Sequence, residues 1–249
     1  MTKMYYKTIC ISDTHLGVRD CKAELLANFL KHHKSDNLFL VGDIIDGWAI
    51  QQKKWYWDKH HSDVIQKILK ISKKTKVVYI AGNHDEMLRP MIPYNIDLAN
   101  ISIVNQLEYK SILGKKYLLI HGDMFDGISD LAPWLNFLGN TLYDWAMSFN
   151  SSFNAVRRTL GFGYWSISKF LKNKVKSAVD FIFKFEENLV DYCMKRNFDG
   201  TICGHIHNAE IKTIHDTEYM NCGDWVESCT ALVETHSGEW KIITWDKLL

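Results

Sequence analysis

The sequence predicts an α/β protein built as a two-sheet β-sandwich flanked by helices. Three observations carry this. Strand-like and helix-like segments alternate through the first hundred or so residues, consecutive strand-like runs fill 200–245, and short clusters of Asp, Asn and His fall where the strands end. A purely parallel sheet needs a long crossover between every pair of strands, which the C-terminal run does not provide.

The elements follow in order. Residues 6–12 (Tyr-Lys-Thr-Ile-Cys-Ile-Ser) read as a buried strand that ends at Asp13. Residues 23–33 carry a helical pattern, with Leu25, Leu26, Phe29 and Leu30 on one side. Residues 37–41 form a second strand ending at Gly42-Asp43, 62–73 a helix, and 76–81 a third strand ending at Gly82-Asn83. Strands also fit 101–104, 116–120, 200–203, 210–214, 217–221, 229–235 and 239–245. Only three prolines punctuate the chain, so 1–249 is expected to form a single domain. The one compositional shift is a helical cap insertion at 130–185.

Composition narrows the class. With 47% hydrophobic residues the chain can fill a sizeable core, and a net charge of +1 does not announce a polyanionic partner. None of the six cysteines forms a CxxC pair, which argues against a thiolate zinc site. Cys10 and Cys203 sit in apolar strand-like runs, where cysteine serves as a small core residue. The residues before Asp13 are too few for a signal peptide, and no apolar run reaches membrane-spanning length. A reduced, cytoplasmic protein is expected.

The clusters at the strand ends hold the chemistry. They are Asp13-Thr14-His15, Gly42-Asp43-Ile44-Ile45-Asp46, Gly82-Asn83-His84-Asp85, His121-Gly122-Asp123 and Gly204-His205-Ile206-His207. Asp13 and His15, two apart at a strand end, would share a face and aim at one ion. Gly42 lets the backbone turn so that Asp43 projects between two ions. Singly, each cluster reads as readily as a turn; together they offer enough oxygen and nitrogen ligands for two divalent cations. Mixed ligands of this kind suit manganese, iron or zinc better than calcium or magnesium. Two such ions about 3.5–4 Å apart hydrolyse phosphate esters.

These motifs resemble the calcineurin-like metallophosphoesterase superfamily over nearly the whole chain outside the insertion. The resemblance implies two divalent metals, manganese first among them, at the loop edge of the sandwich. Asp13, His15 and His207 would bind the first, Asp43 would bridge, and Asn83, His121 and His205 would bind the second. It also implies that His84 donates a proton to the leaving oxygen, with Asp85 orienting its imidazole. Asp46 reads as a support behind the ligands. Asp123 and Asp224 read equally as supports or as turn residues.

Residues 145–179 contain no Asp or Glu but hold Arg157, Arg158, Lys169, Lys172, Lys174 and Lys176 among aromatic residues that include Trp165. Such a mixture suits contact with an anionic membrane surface. Core packing of a helical cap and single-stranded nucleic-acid binding are the competing readings, but no nucleic-acid module is present, so no nucleic-acid partner is expected. The cluster Trp55-Tyr56-Trp57 would hold a quaternary ammonium by cation–π attraction or pack at a helix start. His60 and His61 read as surface or supporting residues.

Within the superfamily, Val41-Gly42-Asp43-Ile44-Ile45-Asp46-Gly47-Trp48, Tyr164-Trp165-Ser166, Cys203–His207 and Gly223–Leu232 resemble two related groups. One is the UDP-2,3-diacylglucosamine pyrophosphohydrolases of lipid A synthesis. The other is the bacterial manganese-dependent phospholipase C proteins of membrane-lipid remodelling. Many of the former carry arginine after the ligand asparagine, where this chain has His84. An acid at that position serves a phosphodiester with a poor alkoxide leaving group, so the phospholipase C reading comes first. It implies a lipid substrate and peripheral association with the inner face of the cytoplasmic membrane. A non-catalytic lipid-binding protein is the third reading; the full ligand set argues against it.

Overall fold

The structure, a computed structural model, describes residues 4–95, 98–125 and 167–248, of which 167–178 are described by their backbone alone. The chain divides into two compact units, Met1–Phe125 with Asn188–Leu249, and Asp126–Glu187. Of the second, the described part belongs to a helix, Ile167–Met194. Arg157, Arg158 and Trp165 lie outside the described residues, and so do the side chains of Lys169, Lys172, Lys174 and Lys176.

The first unit contains the sandwich. Its elements are β1 (Met4–Ile11), α1 (Ala23–His32), β2 (His33–Val41), α2 (Gly47–Gln51), α3 (Lys59–Ser72), β3 (Lys76–Ile80), β4 (Ile101–Val104), β5 (Gln106–Lys110) and β6 (Lys116–Ile120). They continue with β7 (Gly200–Cys203), β8 (Glu210–Ile214), β9 (Thr217–Asn221), β10 (Thr230–Glu234) and β11 (Trp240–Thr244). One sheet has the order β11-β10-β1-β2-β3-β4 and the other β5-β6-β7-β9-β8. β1 to β4 run parallel, with β10 and β11 added antiparallel. The two mixed sheets flanked by helices are the architecture expected from the sequence.

Alternation along the strands explains why two layers form. Ile9, Ile11, Leu38, Leu40, Val77, Tyr79, Ala231 and Val233 face one way and pack with Leu26, Phe29 and Leu30 of α1 and Val64 and Ile68 of α3. Their neighbours Cys10, Phe39, Val41, Val78, Ile80 and Leu232 face the other way and meet Tyr117, Leu119, Ile202 and Met220 of the second sheet. A central sheet buried on both faces reads as a continuous apolar run, which is how these strands were legible. All six cysteines are free and buried.

Two of the differences from expectation have a clear physical reason. β2 begins at His33, because His33 is already extended at the end of α1 and its Nδ1 donates to the Phe29 carbonyl at 2.9 Å. β5 was not expected; its polar Gln-Leu-Glu-Tyr-Lys sequence is an edge strand with alternate residues exposed.

Candidate metal centre

Parallel pairing brings the strand ends into line. Ile11 lies opposite Leu40, and Val41 opposite Ile80, so the loops bearing Asp13, Asp43 and Asn83 leave the first sheet side by side. In the second sheet Leu119 lies opposite Ile202, which delivers His121 next to the loop of His205 and His207. Main-chain hydrogen bonds join these loops: Asp13 N to Gly42 O (3.0 Å), His15 N to Asp43 O (2.9 Å) and Gly204 N to His121 O (3.1 Å).

Five of the seven ligand candidates have left-handed backbones: Asp13 (φ 50°), His15 (47°), Asp43 (53°), His205 (71°) and His207 (52°). This corrects the strand-face argument for Asp13 and His15. β1 stops at Ile11, and the two side chains converge because the backbone turns through this sparsely populated region. Glycines let the ligands cross neighbouring backbone closely. A Cβ on Gly42 would lie 2.2 Å from His121 Nδ1, and one on Gly204 would lie 2.3 Å from Asp13 Oδ2.

The side chains gather as two sets. Asp13, His15 and His207 each place a ligand atom within 4.8 Å of the others, and so do Asp43, His121 and His205. Asp43 Oδ2 stands between the sets, 3.3 Å from His121 Nε2, 3.9 Å from His15 Nε2 and 4.0 Å from His84 Nε2. Asn83 Oδ1 is 3.2 Å from His121 Nε2. Asp43 Oδ1 accepts the His84 amide (2.8 Å), and Asp13 Oδ2 accepts the His205 amide (2.9 Å).

Hydrogen bonds set the imidazole protons. His15 Nδ1 lies 3.0 Å from Asp46 Oδ2, and His121 Nδ1 lies 2.9 Å from the Val41 carbonyl. Both partners accept only, so each Nδ1 carries its proton and each Nε2 presents a lone pair when the ring is neutral. The His121 lone pair faces acceptors, Asp43 Oδ2 at 3.3 Å and the Asn83 oxygen at 3.2 Å, and His15 Nε2 lies 3.4 Å from His207 Nε2. Asp13 Oδ1 is buried without a hydrogen bond, 3.2 Å from His207 Nε2. Lone pairs converging on one another are costly unless positive charge lies between them, so the donor set fits divalent cations.

The electrostatics agree. Burial pushes the Asp43 carboxyl up, but His121, His15 and His84 outweigh it and hold it well below the usual range. Asp13 is likewise lowered, by His207 and His121 against burial. Burial works against charge on His84, yet Asp46 and Asp43 raise its pKa above the ordinary imidazole value.

Asp85 does not orient His84. Its carboxylate is fully buried and accepts from Tyr79 Oη (2.6 Å), Ile44 N (2.8 Å) and Gly82 N (2.5 Å), tying the loops together from behind. The residue holding the His84 ring is Asp46, whose Oδ2 lies 2.9 Å from His84 Nδ1. Asp46 thus serves His15 and His84 together while its Oδ1 caps α2 through Ala49 N at 2.7 Å. Asp123 pairs with Arg89 at 2.6 Å rather than with His121 Nδ1. Sequence reasoning missed Arg89; nothing in its Pro-rich 3-10 segment, Glu86–Tyr94, marked it. Asp224 caps a turn, accepting from Val226 N (2.8 Å) and Glu227 N (2.6 Å). His61, expected at the surface or as a support, is buried beside Asp58, and Trp55 stacks on Trp57 with ring centroids 5.1 Å apart. The face of Tyr56 is taken by Arg19, 4.6 Å from the ring centroid.

A sandwich carrying this set of oxygen and nitrogen ligands at one edge forms a candidate centre for divalent cations. The chain belongs to the calcineurin-like phosphoesterase family, whose model matches residues 6–209, and is a metal-dependent phosphoesterase. No curated protein matches it. Among solved structures it is similar to a hypothetical protein from Pyrococcus horikoshii OT3, at 10% identity and a TM-score of 0.50, covering 98% of this chain and 90% of that one. It is also similar to a dimetal phosphatase from Danio rerio, at 13% identity and a TM-score of 0.47, covering 97% and 99%. An archaeal phosphodiesterase aligns at 13% identity and a TM-score of 0.45, covering 95% and 98%.

Proposed function

We propose that this chain is a two-metal phosphodiesterase of membrane glycerophospholipids, a phospholipase C that releases diacylglycerol and a phosphorylated headgroup. The observation that carries this reading is His84, an imidazole held at Nδ1 by Asp46 with its Nε2 at the edge of the ligand set. When bound, the two cations, manganese by preference, supply an acidified water and charge stabilisation on phosphoryl oxygens. Asp13 and Asp43 remain ionised to hold them. Asp46 keeps the Nδ1 proton on His15, leaving its Nε2 as a ligand, and favours the imidazolium of His84. That ring gives its Nε2 proton to the departing alkoxide, which a diacylglycerol leaving group needs. Trp48 lies over His84, ring centroids 4.1 Å apart, and limits water at that face.

Exposed apolar side chains support a lipid substrate. Ile50, Trp55, Trp57 and Met87 lie in the segments that follow the Asp43 and Asn83 loops and are partly open to solvent. No helix among the described residues is long and apolar enough to cross a membrane, and the reading requires only peripheral contact with the inner face of the cytoplasmic membrane. The test incubates manganese-loaded protein with phosphatidylcholine, phosphatidylglycerol and UDP-diacylglucosamine, with products identified by mass. Diacylglycerol is expected. Release of UMP alone would replace this reading with the lipid A pyrophosphohydrolase, and absence of stoichiometric metal and of all products would leave a lipid-binding protein.

A further inference from the structure

A second concave site lies at the opposite end of the first sheet. A cleft of about 1000 Å³ opens between the C-terminal parts of α1 and α3 and the first residues of β1 and β2. From Tyr5 in its wall to Asp13 is eight residues of mostly extended chain, roughly 25 Å. The cleft is therefore separate from the ligand loops.

Its floor is apolar, with Ile9 and Leu38 buried beneath it, and its rim carries Lys31, Lys34, Lys67, Lys70 and Lys74. The one carboxylate in the lining, Asp36, is already engaged by the Tyr5 hydroxyl and by Lys7 Nζ at 3.2 Å. The five lysines have no carboxylate partner among the described residues. Lysines near a helix C-terminus ordinarily complement its dipole. That accounts for Lys31 and Lys70, which sit in last turns. It does not account for Lys67, more than a turn from the end of α3, or for Lys34 on β2. Lys67 and Lys70, spaced i, i+3, share the face of α3 turned to the cleft, and Lys74 lines the cleft in the turn just past the helix end. Ammonium groups gathered around a concave apolar floor focus positive potential into it.

His33 supplies a second, independent mark. It lines the cleft, its Nδ1 proton is committed to the Phe29 carbonyl, and its buried Nε2 has no hydrogen-bond partner among the described residues. Burial lowers its pKa, so the neutral ring offers an acceptor there. An unpartnered acceptor in the lining of a cleft whose rim carries five cations fits a ligand with negative charge and a hydroxyl group.

We propose that this cleft binds an anionic phosphate ester bearing free hydroxyls, of the glycerol phosphate type, either dissolved or as the headgroup of an anionic lipid. The site shares no residue with the metal centre, and the inference does not rest on the substrate proposed there.

The test uses the full, zinc-loaded chain labelled with ¹⁵N. Titration with glycerol 3-phosphate should move the amide resonances of 30–36 and 67–75 saturably. The double variant Lys67→Glu, Lys70→Glu should weaken that response about tenfold or more, as expected for two reversed charges facing the anion. Hydrolysis of bis(p-nitrophenyl) phosphate by that variant should be unchanged, which separates this site from the catalytic one. Flotation with phosphatidylglycerol vesicles, lost in the double variant and absent with phosphatidylcholine vesicles, would assign the ligand to the membrane. Saturable glycerol 3-phosphate binding without flotation would assign it to solution. The proposal is overturned if neither probe engages these residues, or if the double variant binds them as well as the natural chain does.

Discussion

Replacing Asp46 with asparagine isolates the link between metal binding and proton donation. Its Oδ2 is shared by His15 Nδ1 at 3.0 Å and His84 Nδ1 at 2.9 Å, and its Oδ1 holds Ala49 N at 2.7 Å. Asparagine has the same shape. Its amide oxygen can keep the Ala49 bond, so α2 stays capped, but its NH₂ group then meets two ring nitrogens that already carry protons. Losing a carboxylate behind a metal-bound histidine typically costs about 10–100-fold in metal affinity or activity. That corresponds to roughly 1.4–2.7 kcal/mol.

The pH profile should move as well. Asp46 raises the pKa of His84, so the protonated acid persists to higher pH in the natural chain. Without that charge the pKa falls back toward the ordinary value of about 6.5, and the acid is lost earlier as pH rises. The alkaline limb of kcat for an alkyl phosphodiester should therefore shift to lower pH. Metal content by elemental analysis and kcat across pH are the two measurements. Asp46→Ala serves as a comparison, since it also removes the helix cap, worth about 1 kcal/mol. Full metal content together with an unmoved alkaline limb in Asp46→Asn would refute the argument.

Three further outcomes are expected. His84→Ala should slow alkyl phosphodiester hydrolysis by roughly 10²–10⁴-fold while sparing bis(p-nitrophenyl) phosphate, whose leaving group needs no proton; equal losses on both would remove the donor role. Asp85→Ala strands the Tyr79 hydroxyl and the amides of Ile44 and Gly82. With about 1–3 kcal/mol for each buried unpaired group, the variant should lose at least ~3 kcal/mol. For a chain of this size that lowers Tm by roughly 6–12 °C, and an unchanged melting curve would count against the tie. Gly204→Ala drives a methyl group into Asp13 Oδ2 and Ser12 Oγ. It should lower metal stoichiometry while leaving the circular dichroism spectrum intact; full occupancy would contradict the close crossing.

The strands were legible because burial on both faces leaves little choice of residue. Residues 76–80 and 200–203 are nearly all apolar or small, and each pairs centrally in its sheet. β5 was not legible for the opposite reason: at an edge, Gln106, Glu108 and Lys110 face solvent and resemble a loop. The ligands were legible by residue type, since Asp, Asn and His at strand ends have few other uses in such number. The supports were not. Asp85 stands beside His84 in sequence, yet a neighbouring side chain points away from it, and the ring is held by Asp46 from another strand's loop. Sequence adjacency was a poor guide to contact there because the partner is chosen by how β2 and β3 align.

The same reasoning explains why five ligand positions adopt left-handed backbones that no glycine advertises. An L-residue in that region costs roughly 1–2 kcal/mol, so five together are not tolerated by local preference. They persist because tertiary contacts hold them: Asp13 N on Gly42 O, His15 N on Asp43 O, and the Asp13 carboxylate on the His205 amide. Four of the five strained residues are thus fixed by a bond to another ligand loop, the fifth, His207, lies with its Nε2 3.2 Å from Asp13 Oδ1, and the strain is shared by the constellation. The centre should consequently be lost as a unit. A single broken crossing, as in Gly204→Ala, removes support from several ligands at once, whereas the sandwich beneath, whose core is formed by other residues, remains folded.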